Sequence, residues 1–134
     1  MRLDQFINPQ QLAVIVELTH GEEGDFFLEK LLEIDGIINL MPKTYQTDNQ
    51  SDGALVSLHY FLGNSDWWII ERDKREDQES SFGFVCINGD KRCAELGYIS
   101  IVELLSFGAE LDLYWKIKTI GDVMSEFYDV REAA

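Results

Sequence analysis

The chain has 134 residues, with 25 Asp and Glu against 11 Lys and Arg and a formal net charge of -14. A surface this negative repels polyanions, and it argues against direct binding to DNA, RNA or an anionic membrane leaflet, which rests on Lys and Arg displacing counterions. With 46% hydrophobic and 12% aromatic residues the chain is too apolar for disorder, and its length suits one domain that buries roughly two thirds of its unfolded surface.

Asp4 and Pro9 interrupt the N-terminus before an apolar run reaches signal-peptide length, and no later run approaches the ~20 apolar residues of a membrane span. A cytosolic protein is expected. Cys86 and Cys93 are the two cysteines, and in a chain long enough to form its own core they read as reduced thiols. No CxxC or HExxH run is present and His20 and His59 stand apart, so neither a metal site nor a cofactor is expected.

In chain order, Asn8-Pro9 predicts a helix entry: Asn accepts from the exposed N–H groups of the first turn, and Pro at the first helical position loses no bond. Leu12, Ile15, Val16 and Thr19 continue it at helical spacing to Gly21. A second helix is predicted from Asp25 as cap, with Phe27, Leu28, Leu31, Leu32 and Ile34 as its apolar face and Gly36 as a weak point. Residues 42–53 are polar and turn-rich, and read as an exposed loop.

Residues 54–62 alternate as a single strand, with Val56, Leu58, Tyr60 and Leu62 on one face. Gly63 to Asp66 reads as a turn and Trp67 to Arg72 as the returning strand of a hairpin. Further strands are predicted at Phe82 to Asn88, Glu95 to Ile99 and Leu111 to Ile117, with a turn at Asn88-Gly89-Asp90. Ser100 and Glu103 have the spacing of a capping box opening a short helix that stops at Gly108, and Thr119 opens a last helix through Phe127 and Tyr128. The class is therefore α+β, a mostly antiparallel sheet of about five strands flanked by N-terminal helices, a short middle helix and a C-terminal helix. One domain spans 1–134, with an acidic helical part at 1–41 and a sheet and helix portion at 54–128.

The blocks W-W-I-I-E-R-D at 67–73, F-G-F-V at 82–85, E-L-G-Y-I-S-I-V-E-L at 95–104 and E-L-D-L-Y-W at 110–115 occur in an order that resembles the bacterial domain-of-unknown-function family 2958. The likeness covers roughly Ala54 to Phe127, and its most specific part is E-L-G-Y-x-S-x-x-E-L. It implies a shared fold and a setting on plasmids, phages and other mobile elements, but no catalytic motif. The family pattern carries Arg where this chain has Leu111, and the forty N-terminal residues look like an addition to the family's shorter start.

That addition holds the densest acidity: Glu22, Glu23, Asp25, Glu29, Glu33 and Asp35, relieved by Lys30 alone. On a helix, Asp25, Glu29 and Glu33 share one ridge at steps of about 6 Å, near the spacing of backbone phosphates. Such a ridge imitates a nucleic-acid strand, although a solvated amphipathic face with acids complementing the helix dipole gives the same pattern. Trp67, Trp68, Tyr98, Tyr114 and Trp115 lack the basic neighbours of a base-stacking platform and read mainly as packing, one of the adjacent tryptophans entering the core. The bases Arg72, Lys74, Arg75, Lys91 and Arg92 read as mixed-charge loop residues.

The best nucleophilic set is Cys86 with His59 and Glu71, and the best metal pair is Glu71 with Asp73; both are weaker readings than burial of Cys86 and solvation of the acids. The leading expectation is a non-enzymatic acidic inhibitor from a mobile element, which blocks the nucleic-acid surface of a basic partner such as a CRISPR effector or a restriction enzyme through Glu22, Glu23, Asp25, Glu29, Glu33 and Asp35. The alternatives are an immunity or general interaction module, including a homo-oligomer formed through sheet aromatics, and a metal-dependent nucleic-acid hydrolase.

Overall fold

A computed structural model describes residues 2–129. Its elements run α1 (Leu3–Phe6), α2 (Pro9–Leu18), α3 (Gly24–Leu40), β1 (Leu55–Val56), β2 (Leu58–Leu62), β3 (Ser65–Glu71), β4 (Ser81–Cys86), β5 (Glu95–Ile99), α4 (Ile101–Ser106), β6 (Glu110–Leu111), β7 (Lys118–Thr119) and α5 (Ile120–Phe127). The α+β class holds. Five strands form one antiparallel sheet in the order β5-β4-β3-β2-β6, and β1 pairs with β7 in a separate two-stranded ribbon.

Both faces of the sheet are covered, because side chains alternate along each strand. On one face Leu58, Tyr60, Ile69 and Ile99 pack with Phe6, Ile7, Ile15, Ile34, Ile38, Ile101 and Leu104 from the four helices α1 to α4. On the other, Val56, Trp68, Ile70, Phe84 and Cys86 pack with Ile120 and Val123 of α5. Adjacent Trp67 and Trp68 therefore divide: Trp67 supports the first cluster, and Trp68 is buried in the second. The Tyr60 hydroxyl crosses the first layer to donate to the Phe6 carbonyl, and burial pushes its pKa far up.

Three predicted caps form, that at Ser100 without a returning bond to Glu103 among the described residues. The Asn8 side chain accepts from the Gln11 N–H at 2.7 Å, Ser100 from Glu103 at 3.1 Å and Thr119 from Asp122 at 3.1 Å. The second long helix differs in start and length. It begins at Gly24 rather than on an Asp25 cap and runs through Gly36 to Leu40. Gly24 is needed where α3 leaves α2, since a Cβ there would lie 2.2 Å from the Thr19 carbonyl oxygen. A short helix, α1, precedes the predicted first one.

Two predicted strands are corrected. Residues 54–62 do not form one strand, because Ser57 separates β1 from β2 and moves Val56 to the face opposite Leu58 and Tyr60. Residues 111–117 do not form a strand beyond Leu111. The Asp112 carboxylate accepts from the Tyr114 N–H at 3.0 Å, and this Asx turn bends the chain before β7. The hairpin turn narrows to Gly63-Asn64, with Ser65 and Asp66 already in β3, and β4 covers 81–86.

The 42–53 segment is tied down rather than loose. Glu71, buried at the end of β3, accepts from the Tyr45 N–H at 2.9 Å and from the N–H and hydroxyl of Thr47. Arg72 is buried as well: its Nε donates to the Ile38 carbonyl at 3.0 Å and its N–H to Pro42 at 2.9 Å. The E-R-D block thus fastens α3 and the following loop to the sheet.

Candidate functional site

The inner side of α3 is set by Leu31, Ile34 and Ile38, which recur at intervals of three and four and are buried. Asp25, Glu29 and Glu33, four residues apart, consequently fall on the exposed side. Glu22 and Glu23 are exposed in the turn before it, and with Asp25, Phe26 and Tyr114 they line an open depression. Asp35 is set apart from this ridge. It is half-buried, with one carboxylate oxygen bonded to the Asn39 amide at 3.3 Å and the other enclosed without a partner.

Lys30 is drawn to the margin of the ridge. Its ammonium lies 3.1 Å from Glu33 and rests over the rings of Phe26 and Tyr114, at 5.8 and 5.9 Å from their centroids. Glu33 is therefore partly neutralised, whereas Glu22, Glu23, Asp25 and Glu29 form no ion pair among the described residues. Apolar side chains flank the acids: Leu28 and Leu32 are about half exposed on the same helix, as is Phe26.

The predicted nucleophilic set is not assembled. Cys86 is buried in the α5-side cluster, and burial first, then Asp66 and Asp90, push its thiol up, away from the reactive thiolate. Glu71 is engaged at the far end of β3 with Tyr45 and Thr47. The Glu71 and Asp73 pair is likewise occupied: Asp73 accepts from the N–H groups of Arg75 at 2.9 Å and Ser80 at 3.1 Å. Both carboxylates serve as loop anchors. Among the described residues no three His, Cys, Asp or Glu side chains converge to hold an ion. Cys86 and Cys93 are both free thiols.

A constellation the sequence did not reveal lies on the α5 side. His59 of β2 reaches Asp66 Oδ1 of β3 through Nε2 at 2.8 Å and Asp112 Oδ2 through Nδ1 at 3.0 Å. Both contacts run from a ring nitrogen to a carboxylate oxygen, so the ring bridges two acids. The ring stacks on Trp68 at 5.3 Å and 18° and meets Trp115 at 5.3 Å, and the Trp115 indole N–H is held by the Val56 carbonyl at 2.9 Å. With both ring nitrogens engaged, His59 ties β2, β3 and the turn after β6 together as a clamp across three segments. The hairpin register would have placed His59 opposite Trp68, but the approach of Asp112 depends on strand order, which local pattern does not carry.

The remaining sequence candidates disperse. Arg72 is interior, Lys74 lies over the Tyr45 ring at 5.5 Å, Lys91 donates to the Phe127 carbonyl at 2.8 Å and Arg92 sits 3.6 Å from Asp90. Tyr98 and Tyr114 are the strongly exposed aromatics of the five considered. No helix among the described residues is long and apolar enough to cross a membrane. Leu111, which stands where the family pattern has Arg, is buried, and its N–H and C=O both pair with the Gln11 side chain at 2.8 Å. Compared with known proteins, the chain matches no family model, no curated protein and no solved structure.

Proposed function

We infer that this chain is a non-enzymatic acidic inhibitor of mobile-element type, which binds a basic nucleic-acid-handling protein, of CRISPR-effector or restriction-enzyme kind, and occupies its nucleic-acid surface. The observation that carries the reading is the outward ridge of Asp25, Glu29 and Glu33 on α3, extended by Glu22 and Glu23 and relieved by one lysine at its edge. Like charges four apart cost a helix a few tenths of a kcal/mol per pair, about what a favourable pair returns. Among the described residues the side chains of Glu22, Glu23, Asp25 and Glu29 give the fold no ion pair in exchange.

Field and geometry then act in sequence. The negative face raises the encounter rate with a basic channel, and the ridge sets carboxylates at about 6 Å intervals against cations arranged for phosphates. Phe26, Leu28, Leu32 and Tyr114 beside the acids supply apolar contact.

The test compares the wild type with the triple variant Glu22→Lys, Asp25→Lys, Glu29→Lys as bait in host-cell lysate at low and high salt. Circular dichroism verifies folding, since all three positions are exposed. The wild type is expected to retain a basic nucleic-acid enzyme that high salt releases and to suppress its nucleic-acid binding when both are purified. The triple variant is expected to do neither. Equal capture and suppression by the variant would overturn the ridge mechanism.

A further inference from the structure

The five-stranded sheet ends on β5, which pairs with β4 over five consecutive positions, Glu95 to Ile99. Its outer backbone groups have no partner among the described residues. Sheet edges are ordinarily guarded by proline, lysine, a bulge, extreme shortness or a covering element. The opposite edge, β6, is two residues long and ends at the Asp112 turn. β5, with the sequence E-L-G-Y-I and an unbroken ladder, has one exposed charge, Glu95 at its first position, but no proline, lysine or bulge. It also displays Leu96 and Tyr98, 46% and 62% exposed, on the face they share with Phe84 and Phe82.

We propose that β5 is a homodimerisation strand, pairing antiparallel with β5 of a second copy about a twofold axis at Gly97. The five residues are complementary to themselves in that register. Gly97 meets Gly97 at the axis, Leu96 lies opposite Tyr98 twice, and Glu95 lies opposite Ile99. Each Leu–Tyr pair is a favourable aliphatic–aromatic cross-strand neighbour, and together they make one continuous apolar strip over the junction. No acid directly opposes another. Open space surrounds the Gly97 Cβ position, with no atom within 4 Å, so a side chain fits there.

The ladder is short. Five residues a side with four apolar side chains fall at or below the low end of stable interfaces, about 1,200 Å², so the dimer forms and dissociates with concentration. Each copy carries a net charge of -14, so added salt screens the repulsion and strengthens the dimer, the opposite of its effect on a basic partner. The inference is independent of the acidic ridge, and the two fail separately.

The test uses the full chain with Cys93→Ser, which removes the exposed thiol. Gly97→Cys in this background places two sulfurs at the axis, where antiparallel Cα atoms are about 4.5–5.5 Å apart, within disulfide reach. It is expected to form a disulfide-linked dimer at least about tenfold faster than Ser106→Cys, an exposed position on α4, because pairing raises the local thiol concentration. Sedimentation velocity on the wild type is expected to show a monomer–dimer equilibrium that shifts to dimer with salt. Leu96→Lys is expected to abolish that equilibrium while leaving lysate capture by the ridge unchanged. A wild type that stays monomeric at the highest soluble concentration overturns the proposal. So does a dimer that Leu96→Lys leaves intact, or equal cross-linking rates at 97 and 106.

Discussion

Gly83 and Gly97 face each other across the β4–β5 ladder, yet only one position has room for a side chain. A Cβ on Gly83 would lie 2.0 Å from the Trp68 carbonyl oxygen and 3.0 Å from the Ile69 Cα, while Gly97 faces no atom within 4 Å. The obstruction at Gly83 is backbone, beside the irregular pairing between Ile69 and Glu71, so no rotamer change relieves it. Gly83→Ala is expected to cost about 2–3 kcal/mol in urea unfolding, and Gly97→Ala to stay within about 0.5 kcal/mol. Equal losses at the two sites would contradict this geometry.

The His59 clamp joins β2, β3 and the turn after β6 through two carboxylates. Replacing the ring by alanine leaves Asp66 and Asp112 close together without their shared donor and opens the space between Trp68 and Trp115. His59→Ala is expected to destabilise the fold by about 2 kcal/mol, the range of hydrogen bonds to charged groups. Faster amide exchange at residues 111–115 and a changed near-ultraviolet tryptophan signal should accompany it. Native exchange at 111–115 would show that the turn does not depend on the clamp.

Asp73 supplies the acid limb of stability. Burial alone pushes its carboxyl up, but hydrogen bonds from the Arg75 and Ser80 N–H groups, with the Arg75 charge nearby, prevail and hold it below the usual range. The folded pKa is thus lower than the unfolded one, so on acidification the unfolded chain takes the proton first. The contribution is complete above the unfolded value of about 3.9 and is lost as pH falls through the folded value. Asp73→Asn is expected to be less stable than wild type by about 2 kcal/mol at neutral pH, the gap closing below about pH 4. A gap independent of pH would remove the carboxylate as its source.

What local chemistry decides was legible in the sequence. The caps at Asn8, Ser100 and Thr119 and the span of β5 follow from residue types a few positions apart. The misread strands share a different cause. The alternation of 54–62 continues through Ser57, but the chain changes partners there, from β7 to β3, and so changes face. Residues 111–117 have strand-forming side chains, and a single aspartate that turns back on Tyr114 ends the strand. Of the acidic site, the ridge was readable from four-residue spacing, whereas the withdrawal of Asp35 and the diversion of Lys30 depend on packing against Asn39, Phe26 and Tyr114. The roles of Glu71 and Arg72 were hidden because their partners lie over twenty residues away in sequence.

The fastening of α3 at both ends, by Gly24 against Thr19 and by Arg72 beneath Ile38, has a bearing on selectivity. A disordered acidic tail loses about 1–2 kcal/mol of backbone entropy for each residue it orders on docking, and in return moulds itself to many basic surfaces. A helix already held in place avoids that loss and cannot mould. On the proposed reading its carboxylates would meet a target at one fixed pitch, so tolerance toward partners with differently spaced cations would be low and a host protein would have a simple route to escape: moving one arginine by a single turn.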